Sequence, residues 1–220
     1  MGQSEYRTYP PPWKLNGTGF IFLFQADKEQ ILQVAEMSSE DRAAYQGGLG
    51  AYILVNYHTS DVGPYYELLF IPGDFSHNGK LYKRITKIFV STQLSVDNGK
   101  RNWAIPKEKA DFFWQKDKQN DRVQVSDQTR FIADIEFDSL LLPFPVHTAP
   151  FQLKLLQKAI DGKYLCTKPS GTGLGRISKV NKFYLNASCF PPLENVGIQV
   201  PLGISVSNFN MEFPAPEEIM

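Results

Sequence analysis

The segment Asn98-Gly99-Lys100-Arg101-Asn102-Trp103-Ala104-Ile105-Pro106-Lys107-Glu108-Lys109-Ala110 sets a lysine directly after an apolar stretch and a proline. Pro106 fixes the backbone where Lys107 leaves it. Lys107 then has two readings. It is either part of a solvated, charged turn, or a lysine that the proline holds in a fixed place at the end of an apolar stretch. A second candidate is Glu67, the one carboxylate in the apolar run Tyr65-Tyr66-Glu67-Leu68-Leu69-Phe70. It either faces solvent or is buried for a reason, because unpaired burial costs roughly several kcal/mol.

Other chemistries find less support. His58, His77 and His147 are far apart and belong to no HxH or HExxH pattern, so no metal site is expected. Ser170-Gly171-Thr172-Gly173-Leu174-Gly175-Arg176 is glycine-rich but lacks the GxxxxGK[ST] frame and opens no helical pattern; it reads as a flexible hairpin loop. There is no GxSxG elbow. Cys166 and Cys189 have no CxxC partner and read as two buried thiols.

The elements that must position these groups are mostly strands. Phe131, Ala133, Ile135 and Phe137 alternate with Ile132, Asp134 and Glu136, a period of two. Ala51 to His58 and Tyr65 to Ile71 are apolar or aromatic runs separated by a Gly- and Pro-containing turn, and read as neighbouring strands. Leu81 to Val96 reads as a strand, Asn98-Gly99 as a tight primed turn, and Arg101 to Ile105 as the antiparallel return. Phe209, Met211 and Phe213 mark one more strand. Helix signals are few: Asp27 can cap a helix carrying Ile31, Leu32, Val34 and Ala35, and a second short helix is expected over Ser39 to Gly47. With 16 Phe, 10 Tyr and 3 Trp, the expectation is a mostly β chain whose closed or strongly curved antiparallel β-barrel is lined with aromatics and encloses a small-molecule pocket.

Composition narrows the function classes. The 220 residues suit one domain over 1–220, and no linker or repeat divides them. Lys plus Arg equals Asp plus Glu at 23 each, which gives no field to attract nucleic acid or anionic lipid. No uninterrupted apolar run reaches membrane-spanning length, and Met1 to Thr8 lack a signal-peptide core, so a cytoplasmic protein is expected.

The lysine and glutamate segments, in this order, resemble the acetoacetate decarboxylase superfamily. That family carries a Gly-Arg-Glu...Pro-Lys-Lys element and, upstream, a Tyr-x-Glu-like strand; here they stand as Gly99-Lys100-Arg101...Pro106-Lys107-Glu108 and Tyr65-Tyr66-Glu67. The likeness extends to Trp13-Lys14-Leu15, to His58-Thr59-Ser60 and to Pro192-Leu193. The resemblance implies that Lys107 inherits a Schiff-base role, with no cofactor, and that family members commonly form homo-oligomers. It also marks departures. Glu108 replaces the second lysine, Thr18 falls where an arginine for a substrate carboxylate is expected, and Tyr52 replaces one of two acidic residues while Glu67 keeps the other.

The expected function is thus a cofactor-free, decarboxylase- or lyase-like enzyme on a small carbonyl compound of β-keto or polyketide type, set in natural-product biosynthesis. Lys107 would be nucleophile or general acid and Glu67 a proton shuttle, with Tyr52, Tyr65, Trp103, Thr18 and Glu108 lining the substrate. Two alternatives stand beside it: a cyclase or isomerase that folds an apolar substrate with Lys107 only polarising a carbonyl, and a non-catalytic binding protein on the same scaffold.

Overall fold

Period-two patterning dominates the chain, and strands result along most of it. The computed structural model describes residues 7–25, 27–117, 120–140, 142–148, 153–191 and 202–219. The Pro192-Leu193 element lies outside the described residues. In chain order the elements are β1 (Trp13–Gln25), α1 (Lys28–Val34), α2 (Ser39–Ala44), β2 (Tyr45–Gly47), β3 (Leu49–Thr59), β4 (Tyr65–Ile71), β5 (Asp74–His77), β6 (Lys80–Lys83), β7 (Lys87–Val90), α3 (Gln93–Trp103), β8 (Lys107–Lys109) and β9 (Asp111–Asp117). They continue with β10 (Asn120–Ser126), β11 (Phe131–Ser139), β12 (Phe144–His147), β13 (Leu155–Lys158), β14 (Tyr164–Thr167), β15 (Ser170–Leu185), β16 (Leu202–Phe213) and β17 (Glu217–Ile219). No helix among the described residues is long and apolar enough to cross a membrane.

The larger sheet runs β8-β7-β4-β3-β1-β16-β15-β11-β10-β9, with β12 paired to β15, and curls into a nearly closed barrel. Its pairings are antiparallel except that of β7 with β8, which is parallel. A second sheet, β17-β14-β13-β6-β5-β2, packs beside it. Because side chains alternate across a strand, the barrel wall feeds two cores. The interior core takes Phe20, Phe22 and Phe24 of β1, Tyr52 and Leu54 of β3, Leu68 and Phe70 of β4, Phe89 of β7, and apolar residues of β10, β11 and β15. Its rings fill the space between the strands, with Phe20 stacked on Phe137 at 4.2 Å and Tyr52 against Phe70 at 4.7 Å. The outer core lies beneath α3 and takes Val55 and Tyr57 of β3, Tyr65 and Leu69 of β4, Ile88 and Val90 of β7, and Val96 and Trp103 of α3.

Three local expectations are corrected. Residues 93–103 form α3 rather than a strand, turn and return: Thr92 caps the helix by accepting from Ser95 N, and Ser95, Val96, Gly99 and Trp103 recur at helical spacing on its buried face. Asn98-Gly99 therefore lies inside the helix, where tertiary contact overrides its local turn preference. Trp103 ends that helix, so it is not a strand residue as expected. The glycine-rich stretch is likewise no loop but the start of β15, and β-carbons at Gly171, Gly173 and Gly175 would collide with β16 and β12. The second short helix stops at Ala44, after which Tyr45–Gly47 pair with β5.

α3 is held down from two sides. Asn98 Nδ2 donates to Arg7 O and Asn102 Nδ2 to Tyr9 O, while Tyr9 N donates to Asn98 Oδ1, which straps residues 7–9 across the helix. At its C-terminus Ala104 adopts the left-handed conformation with φ of 55° so that the chain can turn into Pro106 and β8. That conformation costs an L-residue roughly 1–2 kcal/mol; glycine avoids this cost but loses about 0.4–1 kcal/mol of it again because its unfolded chain is more flexible. Ala104→Gly is accordingly expected to raise stability by about 0.5–1 kcal/mol, seen as a higher urea midpoint at unchanged slope. A lower midpoint would show that the Ala104 methyl packs for more than its backbone costs.

Candidate active site

β4 and β8 carry the two groups that matter most. Tyr65, Glu67 and Leu69 share the face of β4 that looks toward α3, and Glu67 pairs across to Val55 and Val90. Lys107 pairs with Ile88 and shares that face. Both charged residues are buried, at 4% exposure each. Lys107 Nζ lies 2.9 Å from Glu67 Oε2, 3.0 Å from Ser95 Oγ and 3.5 Å from Tyr65 OH. Tyr57 OH donates to the other Glu67 oxygen at 3.1 Å. The lysine stem reaches this point by passing under Gly99. A β-carbon there would lie 2.7 Å from Lys107 Cδ and 2.9 Å from Cε, so only glycine lets the helix approach closely enough for Ser95 to touch Nζ.

The electrostatics follow from this enclosure. Burial on its own would push the Lys107 ammonium toward the neutral amine, but the adjacent Glu67 charge and then Tyr65 outweigh it, so its pKa is raised. Burial, followed by the Glu67 charge, pushes the Tyr57 phenol well above its usual range, and burial takes Tyr65 up to about 12 despite the opposing Lys107 ammonium. For a raised lysine the linked stability is present in full below the ordinary value of about 10.4 and is lost as pH rises through the folded value.

The structure groups the sequence-predicted residues unevenly. Lys107, Glu67 and Tyr65 meet. Trp103 is in the same outer core but donates from Nε1 to Pro214 O and packs edge-on against Trp13 and Phe213. Tyr52 is in the interior core, on the opposite face of the wall, where its hydroxyl donates to Pro191 O. Thr18 is half-buried opposite Asn56, with β3, β4 and β7 between its strand and β8. Glu108 points to the face away from Lys107 and forms an ion pair with Lys87 at 2.8 Å. Sequence reasoning missed Tyr57, Ser95 and Gly99. Alternation from Val55 to Tyr57 on β3 would have flagged the first, whereas Ser95 and Gly99 were hidden by reading their helix as a strand and turn.

Two clefts on the described residues lie elsewhere. One of about 280 Å³ is lined by Arg84, Ile85, Ala104, Pro106 and Gln157 among others, and one of about 620 Å³ by Lys14, Asn16, His147, Thr172 and Glu212 among others. Neither is lined by Lys107 or Glu67, whose charged groups are buried beneath α3 and its neighbours. Among the described residues no group of three His, Cys, Asp or Glu side chains could hold a metal ion. Cys166 and Cys189 are free and buried.

No family model and no curated protein matches the chain. Solved structures do. The chain is similar to acetoacetate decarboxylase from Legionella pneumophila, with a TM-score of 0.68 at 13% identity over 96% of this chain and 88% of that one. It is similar to the enduracididine biosynthesis enzyme MppR complexed with pyruvate, with a TM-score of 0.69 at 11% identity over 96% and 91%. It is also similar to an acetoacetate decarboxylase-like enzyme from Sphingomonas wittichii, with a TM-score of 0.65 at 9% identity over 100% and 96%. At these identities the likeness is one of fold, and this chain shares the fold of these three structures.

Proposed function

We propose that this chain is a cofactor-free enzyme acting on a small carbonyl compound of β-keto or polyketide type, with Lys107 as the acting amine and Glu67 as its proton acceptor. The observation that carries this reading is the buried Lys107–Glu67 pair at 2.9 Å. Replacing such a pair by apolar residues of similar size is often neutral or stabilising, so folding alone gives little reason for it. A carboxylate in contact with the ammonium can take the proton that must leave before attack. Similar folds belong to a decarboxylase and to a protein complexed with pyruvate, itself a carbonyl compound.

The steps balance without a cofactor. Lys107 passes one proton to Glu67 and its lone pair attacks the carbonyl carbon, giving a carbinolamine. Loss of water, with the proton returned from Glu67, leaves a protonated imine. Where a carboxylate is borne by the carbon next to the imine carbon, the bond between them breaks, carbon dioxide leaves, and that electron pair forms the C=C of an enamine while the imine π pair moves onto nitrogen. Protonation of carbon and hydrolysis release product and free lysine. Glu108 takes no part in this scheme. A second reading draws on the raised Lys107 pKa: a persistent ammonium could polarise a carbonyl by hydrogen bonding and assist a cyclisation or isomerisation with no covalent step.

Borohydride reduction in the presence of a small ketone, followed by peptide mass mapping, separates the two. An adduct on Lys107 that is absent in Lys107→Ala is expected. No adduct, together with turnover retained in Lys107→Arg, which keeps a charged donor but stays protonated, would reject the imine and favour the second reading.

Two carboxylate variants then test which neighbour controls the lysine. Glu67→Gln is expected to move the onset of adduct formation to lower pH and to destabilise the fold by about 3–5 kcal/mol through the orphaned ammonium. Glu108→Lys is expected to leave that onset unchanged, since its partner is Lys87. An onset moved by Glu108→Lys would put that side chain beside Nζ in solution.

A further inference from the structure

Ser95 belongs to no motif in the sequence, yet it stands at the centre of the buried network. It is fully buried on α3, and its Oγ contacts Lys107 Nζ at 3.0 Å. An ammonium has three hydrogens to donate, and three acceptors surround Nζ: Glu67 Oε2, Ser95 Oγ and the more distant Tyr65 OH.

Few other groups bear on this site. β4 contributes Glu67 and Tyr65, β3 contributes Tyr57 through its bond to Glu67, and β7 presents only Ile88 and Val90. On α3, Asp97 is half-buried and bonded to Gln93, and Lys100 and Arg101 are exposed. Glu108 of β8 points to the other face. Resting on the reading of Lys107 as the acting group, we propose that Ser95 is a positioning residue whose hydroxyl completes the acceptor set for the Lys107 ammonium and so sets the pH at which the amine becomes free.

The physical basis is an asymmetry between protonation states. A hydrogen bond from a charged donor is roughly twice as strong as a neutral one. Removing the Ser95 acceptor therefore costs the ammonium more than it costs the amine. The consequence runs against the usual expectation for a residue at an active site, because Ser95→Ala should make Lys107 reactive at lower pH.

The test is a nitrogen-15 NMR titration of the lysine side chains, with Lys107 assigned by its loss in Lys107→Arg and folding checked by circular dichroism. Lys107 is expected to titrate about one pH unit lower in Ser95→Ala than in the parent, and with the parent in Ser95→Thr, which keeps the hydroxyl. Should Ser95→Ala fail to fold, Tyr65→Phe removes the neighbouring acceptor on Nζ and is expected to shift Lys107 in the same sense. Parent-like titration in Ser95→Ala, or an equal shift in Ser95→Thr, would overturn the proposal. Because the titration needs no substrate, a shifted Lys107 in a protein that yields no borohydride adduct would uphold Ser95 in this role and reject the carbonyl reading. An adduct with an unshifted titration would do the reverse.

Discussion

The ion pair between Lys107 and Glu67 is the constraint around which the outer face of the barrel is arranged. Removing two charges from water costs several kcal/mol per ion even after relaxation, and mutual attraction offsets this only with good geometry and further hydrogen bonds. The surroundings supply both. Tyr57 donates to the second Glu67 oxygen, Ser95 and Tyr65 accept from the ammonium, and apolar side chains from β3, β4, β7 and α3 close around them. The helix that delivers Ser95 must lie close to β8, which Gly99 permits and the hydrogen bonds to residues 7 and 9 maintain. The pair is thus tied to the seating of a whole helix, and that helix is also what covers the amine.

The alternation of side chains across the barrel wall decides which residues can take part. Glu108 follows Lys107 by one position and for that reason faces Lys87 instead of the amine. The departure from a second lysine therefore does not place a carboxylate beside Nζ. Tyr52 belongs to the interior face and Thr18 lies on β1, with three strands between it and β8, so these two departures leave the immediate surroundings of Lys107 untouched. The aromatic barrel interior is filled by its own rings, and the Lys107–Glu67 pair lies in the outer core beneath α3.

Much of this was legible in residue patterns. The apolar runs from Tyr65 to Ile71 and from Ala51 to His58 became neighbouring antiparallel strands buried on both faces, one against the interior core and one against the outer core. The order of Tyr65-Tyr66-Glu67 and Pro106-Lys107 was enough to point to the fold. The failures have one cause, which is that contacts distant in sequence decided between local alternatives. Asn98-Gly99 is a strong turn signal in isolation, but Thr92 starts a helix before it, and Gly99 is needed where the lysine stem crosses. Alternate glycines in β15 resemble a phosphate loop until β16 and β12 are seen to occupy the space a side chain would need. Ser95 and Tyr57 carry no motif, and their importance exists only once β3, β4, β8 and α3 meet.

The central claim is that the buried amine of Lys107 does covalent carbonyl chemistry. Its most direct test is a crystal structure of the protein after borohydride reduction with a small ketone. The account predicts electron density continuous from Lys107 Nζ into the reduced ketone carbon, with Glu67 still within hydrogen-bond reach of the nitrogen. An unmodified Lys107 still closed on Glu67 and Ser95, under conditions where the ketone is seen bound beside it, would contradict the claim.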